Sequence, residues 1–292
     1  MIMKRKMIIS ICALIGITLL VWACGGDTKN KTTSPKGIIK DYNPPTKPLN
    51  ITIFIDLSNR IVRPSAPSQQ EKDLSIVRYL VDYFVNQTKV VGWSNCKHSM
   101  QVLFYPTPNL SNMQELSENL TMDMSKLTTG REKHEKLDND NMQNVFQQSL
   151  EEIYQQTLAD RNYLGCDIWG YFSDNKVDAV VRDGYRNILF ILTDGYIYDT
   201  KYLIKQNGCL SYIPENPNQQ KPLIVKRGGL QDLEVRMLEI NPVQPKDFAG
   251  IKTILEDWLQ GMDIPKGNIS IIQTDNNLTT TKTQIDNILQ QQ

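Results

Sequence analysis

Asp56-Leu57-Ser58 ends an apolar run, Ile51-Thr52-Ile53-Phe54-Ile55, and Thr193-Asp194-Gly195 ends a second one, Ile188-Leu189-Phe190-Ile191-Leu192. Runs of this kind read as strands covered on both faces, as in a parallel sheet. In an open parallel sheet the carboxyl ends of the strands face one crevice, and ligands bind there. Asp56, Ser58 and Asp194 would then stand around one hard cation. Mg²⁺ takes carboxylate, hydroxyl and water oxygens in an octahedral array, and one or two carboxylates with open water positions suffice. Each residue also has a purely structural use. Asp56 and Ser58 could cap the turn or helix after the first strand, and Asp194 could take up backbone donors of the Gly195 turn.

The elements that must position these residues follow from hydrophobic period. Leu49–Ile55, Met100–Tyr105, Asn187–Leu192, Leu233–Ile240 and Asn268–Gln273 are strand candidates; all but the fourth are near-continuous apolar runs. Leu233–Ile240 alternates at its start, which places it nearer an edge. Helical spacing of apolar residues predicts helices over Gln69–Asn86, Asn141–Ala159, Asp247–Met262 and Thr281–Leu289. A short helix is predicted at Thr200–Gln206, stopped by Asn207-Gly208. Strands alternating with helices imply βαβ units and a mostly parallel sheet. Three stretches resist this pattern: Pro106–Asp140, long and polar; Asn162–Arg186, whose aromatic segment Cys166–Phe172 suggests an added hairpin; and Gln206–Leu230, rich in proline. Long loops of this sort in a compact domain are usually inserted or functional.

The order strand, Asp-x-Ser, helix, strand, helix, strand, Thr-Asp-Gly, helix, strand, helix, strand resembles the von Willebrand factor type A (vWA) domain family. Ile55-Asp56-Leu57-Ser58 is similar to the start of that family's Asp-x-Ser-x-Ser motif, and Leu192-Thr193-Asp194-Gly195 to its later aspartate motif. The resemblance covers about residues 49 to 275. It implies an α/β fold, a doubly wound, mostly parallel sheet with helices on both faces. It also implies a metal-ion-dependent adhesion site, in which a partner's carboxylate completes the Mg²⁺ shell, with Asp56, Ser58 and Asp194 as metal ligands and Thr193 beside them. Two positions depart from the family pattern. Arg60 stands where the family has its second serine, so that a guanidinium would sit beside the metal or replace it. The expected middle threonine is also missing; Asp140, at the start of the following helix, is the best match, with Thr128 or Thr129 in the preceding loop as the fallback. Arg60 and Arg63 flank the crevice and could face an anionic ligand.

The beginning of the chain carries a different message. Lys4, Arg5 and Lys6 precede an apolar stretch, Met7–Val21, followed by Ala23-Cys24-Gly25-Gly26. This resembles a bacterial lipoprotein signal peptide, with residues 1–23 removed and Cys24 acylated. The apolar stretch is shorter than the roughly 20 residues needed to span a bilayer. Residues 24–48 are polar and proline-containing and read as a tether, leaving 49–292 as the folded domain. The expected location is the cell envelope, lipid-anchored, on its periplasmic or extracellular face.

Composition narrows the function classes. The chain has 32 basic and 32 acidic residues, and loss of the three basic residues of the signal leaves a slight acidic excess. No basic stripe speaks for nucleic acid. Cys96, Cys166 and Cys209 are too few for a disulfide scaffold and read as buried thiols or one disulfide. His98 and His134 lack metal-ligand spacing, which argues against zinc, and no Gly-x-Ser-x-Gly elbow supports a serine hydrolase. Three functions remain. The first is a binding module for a protein or peptide partner, engaged through an acidic side chain. The second is a metal-free structural component of an envelope assembly. The third resembles a haloacid-dehalogenase-like phosphohydrolase with Asp56 as nucleophile. That chemistry needs an acidic group two residues on, where this chain has Ser58.

Overall fold

Every residue of Leu49–Ile55 is buried, and this strand, β1, is central in the sheet. The computed structural model describes residues 44–139, 142–159, 165–197, 204–206, 209–214, 216, 223, 225 and 227–290. They belong to one compact unit, Tyr42–Gln292. β1 pairs in parallel with β2 (Ser99–Leu103) on one side and β4 (Arg186–Leu192) on the other. β4 continues in parallel to β7 (Leu233–Ile240), and β7 to β8 (Ile269–Gln273). β3 (Thr121–Asp123) closes the far side antiparallel to β2, giving the order β3-β2-β1-β4-β7-β8. A separate hairpin joins β5 (Ile204–Gln206) to β6 (Cys209–Ser211).

Alternation along the strands divides the core in two. Ile51, Ile53 and Ile55 of β1 and Ile188, Phe190 and Leu192 of β4 face one cluster, shared with α1 (Gln69–Val91), α4 (Met142–Ala159) and α7 (Leu278–Leu289). Phe54, Leu189 and Ile191 face the other, shared with α5 (Ile168–Ser173) and α6 (Phe248–Gln260). Asn50, on β1, is buried without penalty because its amide donates to the Val180 carbonyl and Asn187 and its oxygen accepts from Ser99. Two short helices, α2 (Met113–Asn119) and α3 (Gly130–Asn139), flank β3. This is the mixed α/β, mostly parallel, doubly wound sheet expected from the sequence, with helices on both faces.

β1 and β7 match their predicted bounds, and the helix starting at Gln69 runs on to Val91. Its start is set by a capping box between Ser68 and Glu71 and its end by Gly92 at φ 86°. β7 lies one strand in from the edge, and its polar Glu234 and Arg236 are consumed by an ion-pair chain with Arg186. Three expectations are corrected. The predicted helix at Thr200–Gln206 is replaced, where described, by strand β5. Asn207-Gly208 lies between Gln206 and Cys209, which pair in the hairpin, and Asn-Gly is as strong a hairpin signal as a helix stop. The predicted hairpin around Cys166–Phe172 is helix α5, because Asp167 accepts from the Gly170 N–H at 2.6 Å and Ile168, Tyr171 and Phe172 recur at helical spacing. Pro106–Asp140 is no long loop, since it contains α2, β3 and α3. Cys96 and Cys166 are free buried thiols in opposite core clusters. Among the described residues no helix is long and apolar enough to cross a membrane.

Candidate functional site

The chain builds β1, β2 and β3 to one side, then returns to add β4, β7 and β8 to the other, so the order reverses between β1 and β4. The crevice at the carboxyl ends of such a pair is where open α/β sheets bind ligands. Asp56 leaves β1 there, its N–H donating to the Leu192 carbonyl at 2.9 Å, and Thr193-Asp194-Gly195 leaves β4 beside it. The sequence thus brings Asp56, Ser58, Arg60, Thr193 and Asp194 to one place.

Asp56 is 1% exposed, and both its oxygens are engaged. Oδ1 accepts the Ser58 N–H at 2.7 Å, and Oδ2 accepts the Thr193 hydroxyl at 2.7 Å. Ser58 precedes a short 3₁₀ helix, Asn59–Val62, but its side chain makes no capping bond. The structural use foreseen for Asp56 is therefore real, and that foreseen for the Ser58 hydroxyl is not. Gly195 makes the turn at φ 92°, a conformation that suits glycine. Its N–H donates to the Thr193 hydroxyl at 3.2 Å, and Asp194 Oδ1 accepts the Tyr196 N–H at 3.1 Å. Asp194 Oδ2 faces the Arg63 guanidinium at 3.1 Å. Burial, and then the neighbouring Asp56 charge, push the Asp194 carboxyl up to about 6, against the pull of Arg63.

Arg60 is wholly buried at the departed motif position. Its Nε donates to the Asp56 carbonyl at 2.6 Å and lies 3.9 Å from Asp56 Oδ2. Its two terminal nitrogens grip both oxygens of Asp73, at 3.3 and 2.6 Å. Burial alone would disfavour its charge, but Asp73 and Asp56 more than offset this and hold the guanidinium charged. Asp73 also accepts from the Tyr154 hydroxyl on α4 and, at 3.0 Å, from Gln69.

A second polar layer adjoins the first. Glu239, the last residue but one of β7, has φ 67° and lies inside a register shift between β7 and β8. That irregularity turns its carboxylate to Thr274 at 2.7 Å, Gln69 at 3.4 Å and Lys72 at 3.9 Å. Burial raises the Glu239 carboxyl above its usual range. Four buried carboxylates, Asp56, Asp73, Asp194 and Glu239, thus face Arg60, Lys72 and Arg63, leaving one negative charge in excess.

Sequence reasoning missed Gln69, Lys72, Asp73, Tyr154, Glu239 and Thr274. The available signal was on α1: Gln69, Lys72 and Asp73 fall on the same helical face as Ile76 and Leu80, where polar side chains are out of place unless paired. Tyr154 sits at helical spacing with the buried Leu150 and Ile153 of α4, and so reads from sequence as part of an apolar stripe. Asp140 lies outside the described residues, as does Cys24. Thr128 and Thr129, the fallback for the missing threonine, are corrected. They cap α3 through Glu132, next to Lys133, whose ammonium reaches the Cys96 carbonyl ahead of β2 at 2.7 Å. That is the amino end of the sheet, opposite the crevice. Trp258, on α6, is buried against Phe172, with ring centroids 5.1 Å apart.

The oxygens of Asp56, Ser58 and Asp194 are the donors a hard cation takes. Two guanidinium groups already stand against these carboxylates. Among the described residues no group of three or more histidines, cysteines or acidic residues is placed to hold an ion.

No protein-family model and no curated protein matches the sequence. Among solved structures, the fold is similar to the pilus adhesin SpaC from Lactobacillus rhamnosus GG, with a TM-score of 0.41 and 12% identity over 82% of this chain and 30% of that one. Its open conformation gives 0.38 and 13%, over 82% and 29%. Proximal thread matrix protein 1 from the mussel byssus is similar at 0.39 and 11%, over 84% and 48%. The chain spans less than half the length of each, and likeness at this level carries over no residue role, ligand or activity.

Proposed function

We propose that this protein is a binding module held at the cell envelope through acylated Cys24, with residues 24–48 as tether. Its crevice between β1 and β4 meets a protein or peptide partner through an acidic side chain, and the positive charge that recognises it comes from guanidinium groups in place of Mg²⁺. The observation that carries this reading is Arg60, buried with its Nε on Asp56 and its fork on Asp73. Arg63, with a third of its side chain exposed over Asp194, is the group a partner carboxylate would reach. A hydrolytic role is disfavoured. A nucleophilic Asp56 would need a free oxygen, and both of its oxygens are bonded in a site closed to solvent.

One observation favours a second reading, in which Asp56, Ser58 and Asp194 hold Mg²⁺, with Asp140 as a further donor. Asp56 and Asp194 leave adjacent strand ends in a site where four buried carboxylates face three cationic side chains. Calorimetric titration of the purified protein with Mg²⁺ and Mn²⁺ separates the two. No heat of binding at millimolar metal is expected. Saturable binding that disappears in Asp56→Ala would overturn the guanidinium reading and establish the metal one.

A further inference from the structure

A cavity of about 220 Å³ opens at the amino ends of β4, β7 and β8, at the opposite end of the sheet from the crevice. Pro45 and Thr46, ahead of β1, also line it. Four of its lining side chains are charged, two of each sign: Lys47 and Arg186 against Asp232 and Glu234. Arg186 grips both oxygens of Glu234, at 2.7 and 3.0 Å, and donates to the Leu289 carbonyl at 2.9 Å. Arg236, which also holds Glu234 at 2.9 Å, does not line the cavity. A lining balanced in this way favours neither an anion nor a cation, and a neutral ligand leaves the Arg186–Glu234 pair undisturbed.

The same lining offers hydrogen-bonding groups that the fold leaves unused. The Asn268 amide donates to the Gln231 and Leu233 carbonyls, at 3.5 and 3.3 Å, which fixes its plane and leaves its oxygen to accept. Among the described residues no hydrogen bond engages that oxygen, the Thr46 hydroxyl, the Gln231 side-chain amide or the Asp232 carboxylate. Tyr185 adds an aromatic ring, with the Arg182 guanidinium 5.6 Å from its centre. Ligand sites combine apolar surface with a few placed polar groups, and those for drug-sized ligands run to roughly 300–1,000 Å³. This cavity is smaller and is of a size for a single sugar ring. Such a ring carries hydroxyls around its edge, which suit the amides, the Thr46 hydroxyl and the Asp232 carboxylate. Its face carries C–H groups, which suit the Tyr185 ring.

We infer that this cavity binds one ring of a neutral saccharide. The site does not depend on how the β1/β4 crevice works. The test is saturation-transfer NMR on the full-length protein, in a detergent that carries no sugar. The probes are the methyl glycosides of glucose, galactose and N-acetylglucosamine, each taken separately. Saturable transfer to the ring protons of at least one is expected. Asp232→Ala should weaken that binding about tenfold, as expected for a lost hydrogen bond to a charged group, and Gln231→Ala about threefold. Both side chains are exposed ahead of β7, so the folded state of each variant can be checked by thermal unfolding. The inference is overturned by no transfer to any of the three sugars at tens of millimolar. Binding unchanged in both variants places the sugar elsewhere and also overturns it. Equal binding of sorbitol, which has the hydroxyls without the ring, overturns it as well. Tighter binding of free glutamate or inorganic phosphate would assign the cavity a charged ligand, and equally overturns it.

Discussion

Arg60 on the turn after β1 and Asp73 on the first turns of α1 are locked by two hydrogen bonds, with neither side chain exposed beyond 2%. The pair joins the candidate site to the helix that packs behind it. Removing one partner of a buried pair leaves an uncompensated charge and costs about 3–5 kcal/mol. Arg60→Met is therefore expected to lower stability by that order in urea unfolding. Arg60→Met combined with Asp73→Leu should recover part of the loss, since the Asp73 charge is then no longer stranded, while buried Asp56 still lacks the Arg60 guanidinium. A double variant as unstable as the single one would show that Arg60 matters for packing alone.

The Thr193 hydroxyl ties β4 to Asp56 Oδ2 while accepting the Gly195 N–H. Thr193→Val keeps the shape and removes both bonds. A loss of about 1–3 kcal/mol is expected from the buried acceptor left unpaired. Thr193→Ser should retain most of the stability, and thermal unfolding of the two variants checks the difference.

Asp194 gives a pH dependence whose sign is fixed by its raised carboxyl. Its usual value is 3.8 and its folded value about 6. The ionised form is thus a cost fully present above pH 6 and relieved as the pH falls from 6 towards 3.8. Asp194→Asn should stabilise the fold at pH 8 by up to about 3 kcal/mol, with the gain vanishing near pH 4. Arg63→Ala should move the wild-type titration, followed by carbon NMR of the carboxyl, still higher.

His98 acts in the opposite direction. Its Nδ1 accepts the Leu49 N–H at 3.0 Å, and burial lowers its titration from 6.5 to about 4. The neutral ring is required, so its contribution is complete above pH 6.5 and is lost as the pH falls towards 4. The two effects offset each other in the natural protein. In the Asp194→Asn background the His98 loss, of the order of 3 kcal/mol, should emerge in urea titrations between pH 7 and 4, offset in part by the raised Glu239 carboxyl.

The anchoring proposal has its own check. Cys24→Ser should release the protein from membranes without detergent. Continued membrane association of that variant would refute acylation at Cys24.

Much of this fold was legible because β1 and β4 are buried on both faces and therefore nearly continuous in apolar residues. Asp56 and Asp194 were legible because they terminate those runs. The partners behind them were not, because Asp73 and Tyr154 meet Arg60 only through the packing of α1 on α4, and nothing in local sequence marks that contact. Glu239 depends on a strand irregularity and a positive φ, which a non-glycine residue does not advertise. The 204–211 hairpin was misread because Asn-Gly ends helices and turns hairpins equally well, and the residues around it are too few to show a period.

The charge Arg60 brings to Asp56 is covalently part of the chain. A bound ion exchanges with its surroundings, and a crevice that relies on one follows the divalent level around it and empties under a chelator. A guanidinium carried in on the turn after β1 arrives with folding and leaves only with unfolding. On the guanidinium reading proposed above, a crevice built in this way would need no ion to be loaded, and only the protonation of Asp194 would alter its charge.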